Sequence, residues 1–247
     1  MNKLFQICAF LCSTICVQAQ QQVSNGSFEN WEHVNSENAE PTNWNGIMSG
    51  DLCGFCSFGA SQRIFRDTRE VKDGSSSIRI ESKSIVGGLI VNGTVTTGRV
   101  VAPGVSPSNG YNQSGITDDR FHQPFSGYPD SLVFWAKYSI NDPSDSALVS
   151  FFFHGQEQLK DPDHWNESTR LVASCHEKFQ TQRKWKRFSF PIRYSNSESN
   201  IQFLLATFSS SHEAGKGNGN AKLWVDDVQF IYNLGAQTTS FVTRSMP

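Results

Sequence analysis

The chain has 247 residues with 21 Lys+Arg against 23 Asp+Glu, a net charge of −2, and 12% aromatic residues that include 19 Phe. This balance supplies no basic patch for nucleic acid, and the length suits one β-sandwich domain with a sizeable core. No GxSxG elbow, HExxH pair, phosphate-binding loop or dinucleotide fingerprint occurs, so those reaction classes have no sequence support.

In chain order, Lys3 precedes an apolar run over residues 4–17, and Val17-Gln18-Ala19 closes it with small residues flanking a polar one. Residues 1–19 read as a secretory signal, too short to span a bilayer, which predicts an exported protein: periplasmic, cell-surface or secreted. Cys8, Cys12 and Cys16 fall inside it, leaving Cys53, Cys56 and Cys175. The odd number predicts Cys53 or Cys56 bonded to Cys175, or a buried unpaired thiol. Redox catalysis has less support, because the chain lacks a second CxxC or a βαβ setting.

Strands follow. Ser77-Ile78-Arg79-Ile80-Glu81 alternates, and Leu132, Phe134, Ala136 and Tyr138 share one face of a second strand. Residues 147–154 form an apolar run that suits a strand buried on both faces. Residues 185–190 alternate again, with Pro191 marking a strand end or sheet edge, and residues 201–208 and 223–232 complete the set. No window holds helical spacing for three turns, so the fold class is all-β: a sandwich of two antiparallel sheets over residues 20–232. Polar stretches at 102–128, 156–169 and 209–220 read as long functional loops, and 233–247 as a disordered tail.

Two segments at opposite ends carry a first resemblance. Ser24-Asn25-Gly26-Ser27-Phe28-Glu29 with Trp31 and Trp44, and Leu223-Trp224-Val225-Asp226-Asp227-Val228, resemble the paired termini of jelly-roll carbohydrate-binding modules. That resemblance implies a structural calcium ion held by Glu29 and Asp226, with Asp227 as the alternative ligand and carbonyls near Lys72-Asp73-Gly74-Ser75 completing the shell. The competing reading is that Glu29 meets a Lys or backbone amides. Asn92-Gly93 to Thr97-Gly98, followed by Pro124-Phe125-Ser126-Gly127-Tyr128-Pro129 and Leu132 to Tyr138, resembles the carbohydrate metabolism domain (PCMD) family of exported Bacteroidetes proteins. The family implies a jelly roll with a pocket for carbohydrate on the concave face, and no established reaction.

A sugar site combines flat aromatics with planar polar groups. Trp135 and the loop residues Trp165, Tyr111, Arg120, His122 and Asp119 are the candidates, set against packing for Trp135 and a solvated turn for residues 117–122. Trp31 and Trp44 read as packing. The alternative class is a glycoside hydrolase drawing two carboxyls from Asp118, Asp119, Glu157, Asp161 and Asp163. Metal ligation by His154, Asp161, Asp163 and His164 matches no established spacing. A structural or adhesive surface protein is the third class. Binding of a poly- or oligosaccharide is the leading expectation.

Overall fold

Alternation in the sequence becomes antiparallel pairing in the computed structural model, which describes residues 20–141, 143–162, 171–195 and 200–233. The strands before the first long hairpin are β1 (Trp31–Glu32), β2 (Glu40–Pro41), β3 (Asp51–Leu52), β4 (Ile64–Asp67), β5 (Ser77–Glu81), β6 (Lys83–Ser84), β7 (Ile90–Val91), β8 (Thr94–Thr96), β9 (Arg99–Ala102), β10 (Tyr111–Gln113) and β11 (Gln123–Pro124). The later ones are β12 (Ser131–Ser139), β13 (Ala147–His154), β14 (Lys160–Asp161), β15 (Leu171–Phe179), β16 (Lys186–Pro191), β17 (Arg193–Tyr194), β18 (Phe203–Ser209) and β19 (Lys222–Ile231).

Eight of these strands pair in nested fashion about a central hairpin. β13 pairs with β15, β12 with β16, β8 with β18 and β5 with β19, all antiparallel. Folding this long double ribbon over on itself gives a jelly roll. One sheet runs β16-β12-β19-β5-β4; the other runs β11-β18-β13-β15-β17, with β8 also on β18. β16, which ends at Pro191, lies at a sheet edge, where a missing N–H costs no ladder bond.

The phenylalanines fill the space between these sheets. Phe134 of β12 lies 5.2 Å from Phe208 of β18, and Phe151 of β13 lies 5.9 Å from Phe230 of β19. Edge-to-face rings of this kind add stabilisation beyond the area they bury. Trp44 is sealed against Phe28 and Phe208 and donates its indole N–H to the Ser24 carbonyl, as packing by the N-terminal segment requires.

A third layer departs from the two-sheet expectation. β14-β10-β9-β3 forms a small mixed sheet, with β3 parallel to β9, over the outer face of the six-stranded sheet. The chain turns into it at Gly98, where a Cβ would lie 2.4 Å from the Gln113 carbonyl oxygen and 2.6 Å from Leu205 Cδ1. Only glycine permits that approach. Residues 102–128 are therefore not one long structureless loop. Strands of two or three residues are too short for an alternation pattern to register.

Two further corrections arise. Leu171–Phe179 is a nine-residue strand whose Glu177 and Lys178 mask its alternation, and it is absent from the strands expected above. Cys53 pairs with Cys56, around a six-residue helix at Gly54–Gly59, rather than with Cys175; among the described residues Cys175 is the buried unpaired thiol that the sequence allowed as the alternative. Cys175 faces the core from β15, out of reach of either partner. Among the described residues no helix is long and apolar enough to cross a membrane.

Candidate functional site

Strand β13 sends alternate side chains to opposite faces. Val149, Phe151 and Phe153 enter the main core, while Leu148, Ser150 and Phe152 face outward under the third sheet. Phe152 joins Leu159, Leu171 and Leu205 in a second small core beneath that sheet. Beyond this core the cover stands off, leaving a cavity of about 830 Å³. Its walls are largely apolar and include Leu52, Leu89, Val100, Val105 and Tyr111.

The floor is polar because cross-strand register aligns the outward positions. His176 of β15 is opposite Ser150 of β13, Ser150 is opposite Thr207 of β18, and Thr207 is opposite Thr96 of β8. Ser150 Oγ lies 2.9 Å from His176 Nδ1, and the Thr207 hydroxyl donates to Thr96 Oγ1 over 3.0 Å. Ser150 also hydrogen-bonds the carboxyl of Asp161, which arrives from β14 in the cover. Burial pushes Asp161 up to about 7, against the opposing Ser150 hydrogen bond. Burial likewise holds His176 below the ordinary imidazole value.

The residues expected to bind sugar do not gather here, with one exception. Tyr111 lines the cavity, its ring under Lys160 Nζ at 4.8 Å from the centroid. Trp135 lies on the outer face of the other sheet, covered by Lys72 Nζ at 4.0 Å from its ring centroid, as packing rather than as cavity lining. In the 117–122 turn, Asp118 accepts from the Arg120 amide and from Arg99 Nη2, which ties the turn down. His122 is fixed by Nδ1 near the Asp118 carbonyl and by an edge contact with Phe203, and Asp119 is fully exposed. Arg120 pairs with the buried Glu40 at 3.2 Å beside a second cavity of about 500 Å³. Trp165, Asp163 and His164 lie outside the described residues. Missed altogether were Ser150, His176 and Thr207. For Ser150 and Thr207 the signal was the polar interruption of otherwise apolar strands, whereas His176 sits in a strand whose Glu177 and Lys178 hide it.

Glu29 and Asp226 converge on the Lys72–Ser76 turn from opposite ends of the chain. Glu29 Oε1 accepts the Ser75 and Ser76 amides, and Oε2 accepts the Ser75 hydroxyl. Burial raises its pKa, yet these donors outweigh burial and hold the carboxyl below its ordinary range. Asp226 Oδ2 accepts the Lys72 and Asp73 amides and Oδ1 accepts the Asp227 amide, while Asp227 itself accepts from Gln229. Amide and hydroxyl donors thus occupy oxygens that a calcium shell of six to eight ligands would need. No group of three His, Cys, Asp or Glu side chains suited to a metal forms among the described residues.

No family model matches the sequence, and no curated protein matches it. Solved structures overlap it in layout. A carbohydrate-binding module crystallised with β-1,4-galactotriose shares 9% identity at a TM-score of 0.36, over 85% of this chain and 92% of that one. A xylan-binding domain from Paenibacillus barcinonensis shares 11% at 0.34, over 77% and 94%. A cleaved adhesin domain of Lys-gingipain from Porphyromonas gingivalis shares 12% at 0.40, over 87% and 99%.

The buried acid makes a pH prediction. The unfolded chain releases the Asp161 proton near about pH 3.9, and the folded chain releases it near about 7. The folded state therefore holds more protons in between. Its contribution is complete below about pH 4 and is lost as pH rises to about 7. His154, pushed down to about 4 by burial, slopes the opposite way, so the comparison must be between wild type and Asp161→Asn. Urea unfolding from about pH 4 to about pH 8 should show wild type losing stability relative to Asp161→Asn as pH rises, levelling off above the folded-state pKa; parallel profiles would contradict the assignment.

Proposed function

We propose that this protein is an exported, non-catalytic glycan-binding module whose ligand occupies the cavity between the six-stranded sheet and its small third sheet. The observation that carries the reading is the cavity itself. It offers an aromatic ring at Tyr111, an apolar wall for sugar C–H faces, and a row of hydroxyl and imidazole groups for sugar hydroxyls. A volume of about 830 Å³ suits a short oligosaccharide or a chain end rather than the long side of a polymer. The jelly roll and the sequence resemblance to exported carbohydrate-handling domains support the same class. Residues 1–19 support export by their signal-like pattern.

Retention on a panel of neutral oligosaccharides tests the site. Tyr111→Ala should weaken retention at least about tenfold, equivalent to ~1.4 kcal/mol, while Trp135→Ala should leave it unchanged. Loss in Trp135→Ala with no loss in Tyr111→Ala would move the ligand to the opposite sheet.

A structural calcium at Glu29, Asp226 and Asp227 is a separate proposal. It is supported by the terminal motifs and by the convergence of Glu29 and Asp226 on one turn. Under it, EDTA lowers the melting temperature and added Ca²⁺ restores it, because a ligand of the native state alone stabilises by mass action. A melt unmoved by either treatment leaves these carboxylates to the amides of the turn.

A further inference from the structure

On the floor beneath the cover, a buried acid joins the hydroxyl and imidazole row. Asp161 descends from β14 and is 6% exposed, His176 rises from β15, and Ser150 of β13 joins them at 1% exposure. We propose that Asp161, Ser150 and His176 form a proton-holding subsite that selects uncharged groups of the ligand, an inference that rests on the cavity being the ligand site.

The Ser150 hydroxyl has a single proton to share between Asp161 and His176. With Asp161 protonated, the acid donates to Ser150 and Ser150 donates to His176 Nδ1; no member carries charge. With Asp161 ionised, Ser150 donates to the carboxylate and accepts from the Nδ1–H tautomer, leaving a buried negative charge. The surroundings decide between these states. Val100, Val101, Tyr111 and Pro162 supply little polarity, and Asp161 forms no ion pair among the described residues. The charged and titratable groups around it are committed elsewhere. Lys160 extends over Tyr111, His154 Nδ1 lies at the carbonyls of Gly155 and Glu157, and Glu177 is paired with Arg193. Lys178 is exposed at the mouth, and His212 is held by Asp145. A carboxylate placed in such surroundings, with one hydroxyl donor, is the costlier state.

A ligand entering the cavity expels water from Asp161. Ionisation then costs more, so by linkage the ligand binds the protonated site more tightly. The predicted ligand class follows. Neutral hexose or pentose units fit. Amino sugars would draw the proton off the acid, and uronates would bury a charge beside Asp161, where the described residues of the floor hold no cation.

A neutral fluorescent probe of apolar cavities, N-phenyl-1-naphthylamine, tests the subsite without knowledge of the glycan. On the full-length protein its Kd should rise about tenfold or more between about pH 6 and about pH 9, since each unit above the acid's pKa carries up to about a tenfold loss. Asp161→Asn, permanently neutral, should bind with a pH-independent Kd, and Ser150→Ala should retain binding with an altered pH midpoint. Thermal melts confirm that each variant is folded. A flat wild-type profile, or no saturable probe binding, would overturn the proposal. In a second arm, glucosamine or galacturonate oligomers retained as well as cello- and xylo-oligosaccharides would overturn the selectivity. A pH-dependent probe signal with no glycan retained would instead sink the glycan reading and leave the subsite standing.

Discussion

Strand β13 is buried on both faces, and a strand of that kind needs cover on two sides. The five-stranded sheet supplies one cover, with Phe134 meeting Phe208 and Phe230 meeting Phe151 across the interior. The second cover is a patch of short strands, reached through a turn that only Gly98 allows. It seals Phe152, Leu171 and Leu205 and then stops short of the sheet's full width. The cavity lies over the part of the outer face that its cover does not reach. Its shape therefore depends on the packing of the third sheet rather than on any loop designed alone.

Two buried acids show how differently one fold can settle a carboxyl. Asp226 is fully buried and receives three backbone amides, which fasten the Lys72–Ser76 turn to the last strand. Burial still lifts its pKa, but its oxygens are accounted for as an anion. Asp161 has Ser150 and no ion pair among the described residues, and it lies at a cavity wall. Anchoring and responsiveness are thus divided between opposite sheets. The Glu29 and Asp226 seam ties together the chain's two ends, and the Asp161 cluster lies at the cavity.

Much of this was legible in the sequence where periodicity was long enough to register. The alternation of residues 132–138 and the apolar run at 147–154 placed two central strands and anticipated burial on both faces of the second. The third sheet was not legible, since strands such as Tyr111–Gln113 carry no period and depend on Gly98 and on backbone pairing from distant residues. Site residues were harder still. Tyr111 stood out as an aromatic in a polar stretch, but Ser150, His176 and Thr207 become neighbours only through cross-strand register. Arg120, His122 and Asp119 looked like ligand groups because capping turns and binding loops draw on the same polar residues.

The claim on which the account rests is that the cavity over the six-stranded sheet holds the ligand. Leu148 faces that cavity from β13, between Lys178 and Ser209 in register. The direct measurement is glycan retention by Leu148→Trp, which adds bulk to the cavity and leaves Ser150, His176 and Thr207 unchanged in sequence. Retention should fall at least about tenfold, ~1.4 kcal/mol, with the melting temperature little changed. Wild-type retention by a folded variant would show that the ligand binds elsewhere.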